Sequence, residues 1–294
     1  TFQVPFPVNE PVLSYAPGSP EREELQDMYN QMYNQEPIDV PMYIGGDLVR
    51  TSDKRPMTPP QEHGKVLGHS NYGDASHVEA AINAALSARK NWAAFSFVDR
   101  ATIFLKAADL IAGKYRAKLN AATMLSQGKN CFQAEVDASC ELIDFLRFNA
   151  YFAQEILQVQ PESSDGVWNR TEYRALEGFT FALTPFNFTA IAANLPASMA
   201  LMGNVVVWKA AGTQLYSAQV LMEIFREAGV PDGVINLICV DGRVAGDVIF
   251  KHPDFTGLHF TGSTAVFRNL WRTIGENLET YKSYPRIVGE TGGK

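Results

Sequence analysis

With 294 residues, 46% of them hydrophobic, the chain is long enough to bury a large core as one or two domains. Its formal net charge of −7 gives no support to binding of nucleic acids or anionic membranes, and no apolar run approaches the roughly 20 residues of a membrane span. The cysteines are an odd three without a spacing pattern, which favours a reducing compartment over a disulfide-stapled secreted protein.

The first 60 residues are rich in proline, tyrosine, glutamine and glutamate, and we expect them to form an arm that wraps the rest of the domain. Residues 21–34 have the composition of a helix. Residues 42–50 are predicted to be extended around a turn at Gly45 and Gly46.

Residues 61–160 are predicted to form a helical part of the domain. A first helix begins at a capping box made by Ser76 and Glu79, a second begins near Asp99, and a long third helix covers residues 131–158. Apolar residues recur at helical spacing in all three: Val78, Ile82, Ala85, Leu86 and Trp92; Ile103, Ala107, Leu110 and Ile111; Phe132, Val136, Cys140, Ile143 and Ala150. Such helices form a layer that a sheet must cover.

From residue 161 onward the pattern changes from helix to strand. Within the segment 161–178, residues 167–175 are predicted to be a polar strand without a local partner. Strands and helices then alternate through residues 179–294, with strands at 179–183, 205–208, 234–239, 257–260 and 286–288. Helices of ten or more residues separate most of these strands, which indicates an α/β fold with a parallel, doubly wound sheet.

The turn after the first of these strands carries one neutral amide side chain, that of Asn187. Asn187 lies between Phe186 and Phe188, just before a predicted helix. An amide at a helix mouth can donate its N–H group to developing negative charge, as an oxyanion hole requires. A lone asparagine before a helix more often caps that helix, so both interpretations stay open at this point.

Two further positions suit a nucleotide coenzyme. Gly262 and Ser263 lie between a strand and a helix, where backbone N–H groups and a hydroxyl can meet a pyrophosphate; ordinary turn and N-cap chemistry is the alternative. Lys209 ends a buried strand, where α/β sheets present ligand groups. Its ammonium suits ribose hydroxyls, and a surface lysine with a buried stem is the alternative.

Glu290 follows the last predicted strand and precedes Gly292 and Gly293, so we expect its carboxylate in an uncrowded turn. A glutamate so placed can deprotonate a water molecule, provided that the finished site buries it; an exposed turn acid is the alternative. The five histidines show no paired ligand spacing, and no metal site is expected.

Four short motifs stand in order along the second half of the chain: Pro185-Phe186-Asn187-Phe188, Val206-Val207-Trp208-Lys209, Phe260-Thr261-Gly262-Ser263 and Glu290-Thr291-Gly292-Gly293-Lys294. Together they resemble the aldehyde dehydrogenase superfamily. The flanking sequence is closer still to its mitochondrial Δ1-pyrroline-5-carboxylate (glutamate γ-semialdehyde) dehydrogenase branch.

The resemblance implies an aldehyde dehydrogenase-like fold with a Rossmann-type coenzyme domain and NAD as cofactor. It implies catalytic roles for Asn187 and Glu290, coenzyme contacts from Lys209, Gly262 and Ser263, and a homodimer or higher homo-oligomer joined through a hairpin in 161–178. It also implies the mitochondrial matrix, with no targeting peptide visible before Thr1.

Two positions depart from the common family pattern. Phe267 replaces the second glycine of the phosphate turn, as expected of the pyrroline carboxylate branch. Gly212 stands where many relatives place an acidic ribose ligand, which leaves the preference between NAD and NADP open.

The nucleophile of the superfamily is a cysteine some tens of residues beyond the glutamate motif. Cys131, Cys140 and Cys239 do not match that position, and we interpret all three as packing residues. We therefore expect the chain to be the amino-terminal, coenzyme-binding half of an enzyme whose catalytic domain is truncated, inactive by itself and prone to association.

The complete enzyme is expected to oxidise L-glutamate γ-semialdehyde to L-glutamate in proline degradation, through a thioester on its cysteine. Following the resemblance, Glu141 meets the cationic amino group of this small aldehyde substrate, and Phe188 covers its aliphatic stem. Neighbours that share the helix side with Glu141 are Asp137, Asp144, Phe145 and Phe148. The alternatives are a solvated acidic helix face, an aldehyde dehydrogenase of different substrate, and a non-catalytic truncated scaffold protein.

Overall fold

The computed structural model describes residues 3–292 and contains a seven-stranded sheet, a small three-stranded sheet and helices around both. In the first half, the elements are α1 (Pro20–Asn34), β1 (Ile38–Val40), β2 (Met42–Ile44), β3 (Asp47–Val49), β4 (Asp53–Met57), β5 (Gly68–Tyr72), α2 (Ala75–Ala94), α3 (Phe97–Ala112), α4 (Arg116–Gln127), α5 (Cys131–Ala134), a π-helical turn (Glu135–Cys140) and α6 (Glu141–Gln158).

After an irregular stretch, the second half alternates between strand and helix. Its elements are β6 (Phe179–Leu183), α7 (Thr189–Leu201), β7 (Val205–Lys209), a short 3₁₀ turn (Gly212–Gln214), α8 (Leu215–Ala228), β8 (Ile235–Ile238), α9 (Gly242–Ile249), β9 (Phe255–Thr261), α10 (Thr264–Glu276), a second 3₁₀ turn (Leu278–Thr280) and β10 (Arg286–Glu290).

The large sheet has the strand order β10-β9-β6-β7-β8-β2-β3. Strands β6 to β10 are mutually parallel, which confirms the predicted α/β fold, and the hairpin β2–β3 continues the sheet in antiparallel fashion. The chain builds β6, β7 and β8 in one direction and then returns to place β9 on the other side of β6. Because such crossovers are right-handed, the helices before and after this return cover opposite faces, so the sheet is doubly wound.

Burial explains which strands are central. The first four residues of β7, Val205–Trp208, are buried, as a strand covered on both faces requires. On one face α2 packs on β7 and β8 and contacts α9, while on the other face α7 packs on β6, β7 and β9. Behind α7 and α8 lie α3, α4 and α6. The prediction that α2, α3 and the long third helix form one layer is therefore wrong, because α2 packs on the opposite face of the sheet. Strand β10 at the sheet edge is largely exposed.

The amino-terminal region attaches to the domain through sheet and helix contacts. Helix α1 packs on α4, the hairpin β2–β3 adds to the large sheet beside β8, and β1 joins β5 in the small sheet. The predicted helix at 21–34 and the extended region around Gly45 and Gly46 are confirmed.

The helical part of the chain differs from the prediction in several places. Helix α2 is capped by Asp74, whose carboxylate accepts from the Ser76 N–H group while His77 closes the capping box, so the Ser76–Glu79 box is wrong. Helix α4 was missed because its buried face carries polar and small residues instead of a plain apolar stripe. The long third helix is interrupted by the π-helical turn, and Phe132 is exposed.

The predicted strand at 167–175 is also wrong within this chain. A strand needs a ladder partner, and the residues around 167–175 instead make scattered bonds, such as Thr171 N–H to Gln160 Oε1 at 2.9 Å and Tyr173 OH to the Val159 carbonyl at 3.0 Å. Trp168 in this stretch is 80% exposed. Across residues 3–292, no helix is long and apolar enough to cross a membrane.

Candidate active site

The carboxyl ends of the parallel strands bring the predicted site residues to one edge of the sheet. Asn187 follows β6, Lys209 ends β7, Ser263 follows β9 and Glu290 ends β10. The strand order reverses between β6 and β9, and ligands of open α/β sheets bind in the crevice at such a switch point. Asn187 and Ser263 therefore flank the position at which a ligand of this fold is expected.

The exposed amide of Asn187 does not cap the helix that follows. Helix α7 has Phe188 as its N-cap residue, without a side-chain cap hydrogen bond. The Asn187 side chain is exposed and makes no hydrogen bond to any residue in 3–292. The capping interpretation is therefore wrong, and the amide remains available to a ligand at the mouth of α7.

The turn after β9 is shaped by aromatic packing. Ser263 is the N-cap of α10, and its Oγ accepts from the Val266 N–H group at 3.3 Å, so the capping role is present. A Cβ atom on Gly262 would lie 2.7 Å from Cζ of Phe260, which is why glycine is needed there. The Phe260 ring stacks on Phe267 with 5.6 Å between ring centroids, and Phe267 in turn covers Gly289.

Lys209 has a partly desolvated ammonium at the end of β7. Burial lowers its pKa, while the nearby Cys239 and Asp241 act in the opposite direction. Among residues 3–292, its Nζ finds one hydrogen-bond acceptor, the Ala210 carbonyl oxygen at 3.4 Å. An ammonium with so few partners at this edge fits the ribose hydroxyls of a dinucleotide.

Gly212 packs against a tyrosine from the small sheet. A Cβ atom at this position would lie 2.5 Å from the Tyr72 hydroxyl oxygen. The Tyr72 ring is itself covered by the Arg55 guanidinium, 3.6 Å above the ring centroid. An acidic side chain at position 212 is therefore sterically excluded while Tyr72 holds this position.

Glu290 is the last residue of β10, not part of a free turn, and it is exposed among the described residues. Its Oε2 accepts from Thr261 Oγ1 at 3.2 Å, and its carbonyl oxygen accepts from the Gly262 N–H group at 3.2 Å. The expected turn position is wrong because pairing with β9 extends to Glu290. Gly293 and Lys294 of the same motif lie outside the described residues.

A cleft of about 770 Å³ lies where the helical layer meets the turn after β6. The side chains predicted to share one side of the long helix all line it, together with Phe188 and residues of the amino-terminal arm: Asn9, Glu10, Val12, Asp137, Glu141, Asp144, Phe145 and Phe148. Glu141 and Phe188, predicted to bind substrate, are thus brought to the same cleft.

Glu141 differs from the other carboxylates of the cleft. Asp137 pairs with Lys129, Asp144 accepts from the Asn9 amide and the Glu10 N–H group at 2.7 Å each, and the Glu10 carboxylate pairs with arginines. Glu141 has no hydrogen bond or ion pair with any residue in 3–292. This arrangement is not a solvated acidic helix face, because Asp137, Asp144 and Glu10 have protein partners and Glu141 has none among residues 3–292.

Burial in the cleft raises the pKa of Glu141 to about 7, and the charge of Asp137 adds to the effect. The Lys129 ammonium opposes it, while Glu290 and Asp144 act in the same direction as burial. Glu141 is therefore a carboxyl group that ionises near neutral pH.

A buried ionic network behind the cleft holds the arm in place. Glu135 is fully buried and accepts from Arg116, from Asn120 Nδ2 at 2.9 Å, from Tyr15 OH at 2.7 Å and from the Leu13 N–H group at 2.9 Å. Arg116 also pairs with Glu10, which bonds Arg147 at 2.7 Å. Glu135, in the π-helical turn, lies in this network, whereas Glu141, six residues later, lines the cleft.

The three cysteines occupy structural positions. Cys140 and Cys239 are buried, and burial raises the pKa of each thiol to about 12. Cys140 joins the polar network, with its Sγ 3.4 Å from Arg116 and from Glu135, so it is more than a packing residue. A thiolate nucleophile is not expected from either. Within 3–292 no group of three His, Cys, Asp or Glu side chains is placed to hold a metal ion.

Sequence reasoning missed the contributions from outside the motifs. Glu10 and Asn9 reach the cleft from a part of the chain that is distant in sequence, and Lys129 lies in the loop after α4. Because the arm is irregular around Glu10, no helix or strand periodicity in the sequence indicates where its side chain points. The acid at position 135, inside an apolar helix, was the one available sign of a buried partner.

Known proteins resemble this chain over its whole length. The family model described as the aldehyde dehydrogenase family matches residues 49–294. The delta-1-pyrroline-5-carboxylate dehydrogenase of Agaricus bisporus is 52% identical over 295 residues, covering 100% of this chain and 54% of the relative. The mitochondrial delta-1-pyrroline-5-carboxylate dehydrogenase of Emericella nidulans is 48% identical, over 100% of this chain and 52% of the relative.

The crystal structure of the Delta-pyrroline-5-carboxylate dehydrogenase from Mycobacterium tuberculosis bound with NAD superposes with a TM-score of 0.98 at 50% identity. The match covers 100% of this chain and 55% of that chain. The chain thus spans about half the length of the curated relatives it matches.

Proposed function

The chain belongs to the aldehyde dehydrogenase family, and from this premise we propose that it forms the coenzyme-binding part of an NAD-dependent L-glutamate γ-semialdehyde dehydrogenase. The observation that carries the proposal is the unpaired Glu141, which lines the same cleft as Phe188. The substrate carries an ammonium group and an aliphatic stem, for which the cleft offers Glu141 and Phe188. It also carries an aldehyde, for which the turn after β6 offers Asn187.

The ammonium of the substrate pairs with the Glu141 carboxylate, and the methylene stem packs on Phe188. The aldehyde carbon then points toward the sheet edge, where the Asn187 amide donates to the oxygen that becomes negative after thiol attack. The thiol comes from a cysteine in the part of the protein that follows the glutamate motif in the family.

NAD, when bound, accepts the hydride from the aldehyde carbon. Lys209 holds the ribose hydroxyls, and Ser263 with the first N–H groups of α10 holds the pyrophosphate. The partly desolvated ammonium of Lys209 and the exposed cap of α10 fit these tasks.

Hydrolysis of the thioester requires a base. Glu290 takes a proton from the attacking water, the thiolate leaves, and L-glutamate is released. Because Glu290 is exposed among residues 3–292, this role requires that the catalytic domain cover it.

Replacement of Glu141 by Gln in the full-length protein tests the proposal. We expect kcat/KM for L-glutamate γ-semialdehyde to fall roughly 10- to 100-fold, because a charge-assisted bond is lost, while kcat/KM for butanal stays unchanged. Glu155→Gln, an exposed acid on the same helix, serves as the matched control. Equal losses for both aldehydes, or no loss for either, would contradict the assignment.

We further propose that the full protein is a homo-oligomer joined through residues 161–178 and works in the mitochondrial matrix, in keeping with relatives named mitochondrial. The exposed Trp168 supports a contact surface there. Light scattering on the parent and on Trp168→Ser, and imaging of the tagged protein in cells, check these two points.

A further inference from the structure

Lys129 lies close to both residues proposed to bind substrate, Glu141 and Phe188. Helix α4 ends at Gln127, its C-cap residue Gly128 adopts a left-handed conformation with φ of 67°, and Lys129 follows directly. The Lys129 side chain is only 13% exposed. A long cationic side chain so covered needs partners that compensate for its lost hydration.

It has two such partners, on different elements. Its Nζ lies 2.7 Å from Oδ2 of Asp137 on the π-helical turn and 4.0 Å from the ring centroid of Phe188, just before α7. The ammonium thus forms an ion pair and a cation–π contact at the same time. Phe188 is thereby held in one orientation by a residue that is itself anchored to Asp137.

We propose that Lys129 is a positioning residue of the substrate cleft: it fixes the Phe188 ring and neutralises Asp137, so that Glu141 is the acid left to receive the substrate ammonium. This inference rests on the proposed roles of Glu141 and Phe188.

The charges around Glu141 set the direction of the effect. Groups facing it are Asp137 on the π-helical turn, Lys129 in the preceding loop, Asp144 on its own helix, Glu290 on β10 and Glu10 on the arm, the last paired with Arg116 and Arg147. Of these, Lys129 opposes the rise in the pKa of Glu141, and Asp137 promotes it. Removing the charge of Lys129 should therefore raise the pKa of Glu141, and removing the charge of Asp137 should lower it.

The experiment measures KM for L-glutamate γ-semialdehyde from pH 6 to 9 in the full-length enzyme, as ratios to the parent so that pH-dependent cyclisation of the substrate cancels. In the parent, KM falls as pH rises through the ionisation of Glu141. In Lys129→Met this fall should move to higher pH by on the order of half a pH unit, with about a threefold higher KM near pH 7. In Asp137→Asn it should move to lower pH.

The controls separate position from charge. Lys129→Arg keeps the charge and should keep the parental profile. Lys118→Met breaks the Lys118–Glu223 ion pair between α4 and α8, whose residues do not line the cleft, and should have no effect. Shifts of the same sign in Lys129→Met and Asp137→Asn, or a pH-independent change in both, would overturn the inference. If Lys129→Met does not fold, Lys129→Gln replaces it, and the same move of the KM profile to higher pH is expected.

Glu141→Gln distinguishes this inference from the proposed function. If Glu141→Gln leaves KM unchanged at every pH, the substrate assignment itself fails. If Glu141→Gln raises KM and abolishes its pH dependence, but Lys129→Met and Asp137→Asn behave as the parent, only the role of Lys129 fails.

Discussion

The proposed substrate cleft and the carboxyl edge of the sheet differ in how many partners their polar side chains have within this chain. In the cleft, Asp137, Asp144 and Glu10 are paired, and a fully buried network around Glu135 supports the wall. At the sheet edge, Asn187, Ser263 and Glu290 are exposed and have few partners among residues 3–292. Under the proposed function, recognition of the substrate amino group uses contacts inside this chain, whereas bond making uses residues that are exposed among residues 3–292.

The largest expected effect comes from breaking the support of the cleft. Glu135→Ala leaves Arg116 buried with fewer partners, and loss of one member of a buried pair costs about 3–5 kcal/mol of stability. Urea denaturation of the full-length protein measures this. Arg50→Met, which breaks the half-exposed pair with Asp39, should cost under about 1 kcal/mol. Equal losses in the two variants would show that the cleft is not held from behind.

The same network predicts a pH dependence. Burial by itself would raise the pKa of Glu135, but the hydrogen bonds from Arg116, Leu13 and Tyr15 outweigh it and hold the pKa below its usual value. A carboxyl group with a lowered folded-state pKa contributes stability above its unfolded pKa and loses it as pH falls through the folded value. The stability gap between parent and Glu135→Ala should therefore close in acid and be full at neutral pH.

In contrast to Glu135→Ala, a substitution at the sheet edge should lower the catalytic rate and leave the stability unchanged. Because Asn187 makes no structural hydrogen bond within residues 3–292 and is not the cap of α7, Asn187→Ala should leave the melting temperature unchanged. We expect kcat to fall about 10²–10³-fold, the loss of one oxyanion donor. A lower melting temperature with unchanged turnover would return Asn187 to a structural role.

These two regions also differ in how far the sequence predicts them. The strands β6 to β10 and the edge positions of Asn187, Lys209, Ser263 and Glu290 follow from local patterns, because parallel strands align their carboxyl ends. The pairing of Lys129 with Asp137 and Phe188, and of Arg116 with Glu10 and Glu135, depends on contacts between distant segments. Such contacts leave no periodic signal, and even the helix α4 that carries Arg116 escaped prediction.

The smallest expected effect concerns Gly212, a tightly packed position near Lys209. A methyl group at Gly212 would press on the Tyr72 hydroxyl, which Arg55 holds in place from above. Gly212→Ala should cost about 1–3 kcal/mol, as overpacking typically does, and raise KM for NAD by displacing the neighbouring Lys209. Removal of the hydroxyl in Tyr72→Phe makes room, so the double variant should recover most of both losses. Thermal unfolding and NAD titration of the four proteins measure the coupling. Additive losses would mean that Tyr72 does not limit position 212, and that the missing ribose acid has another cause.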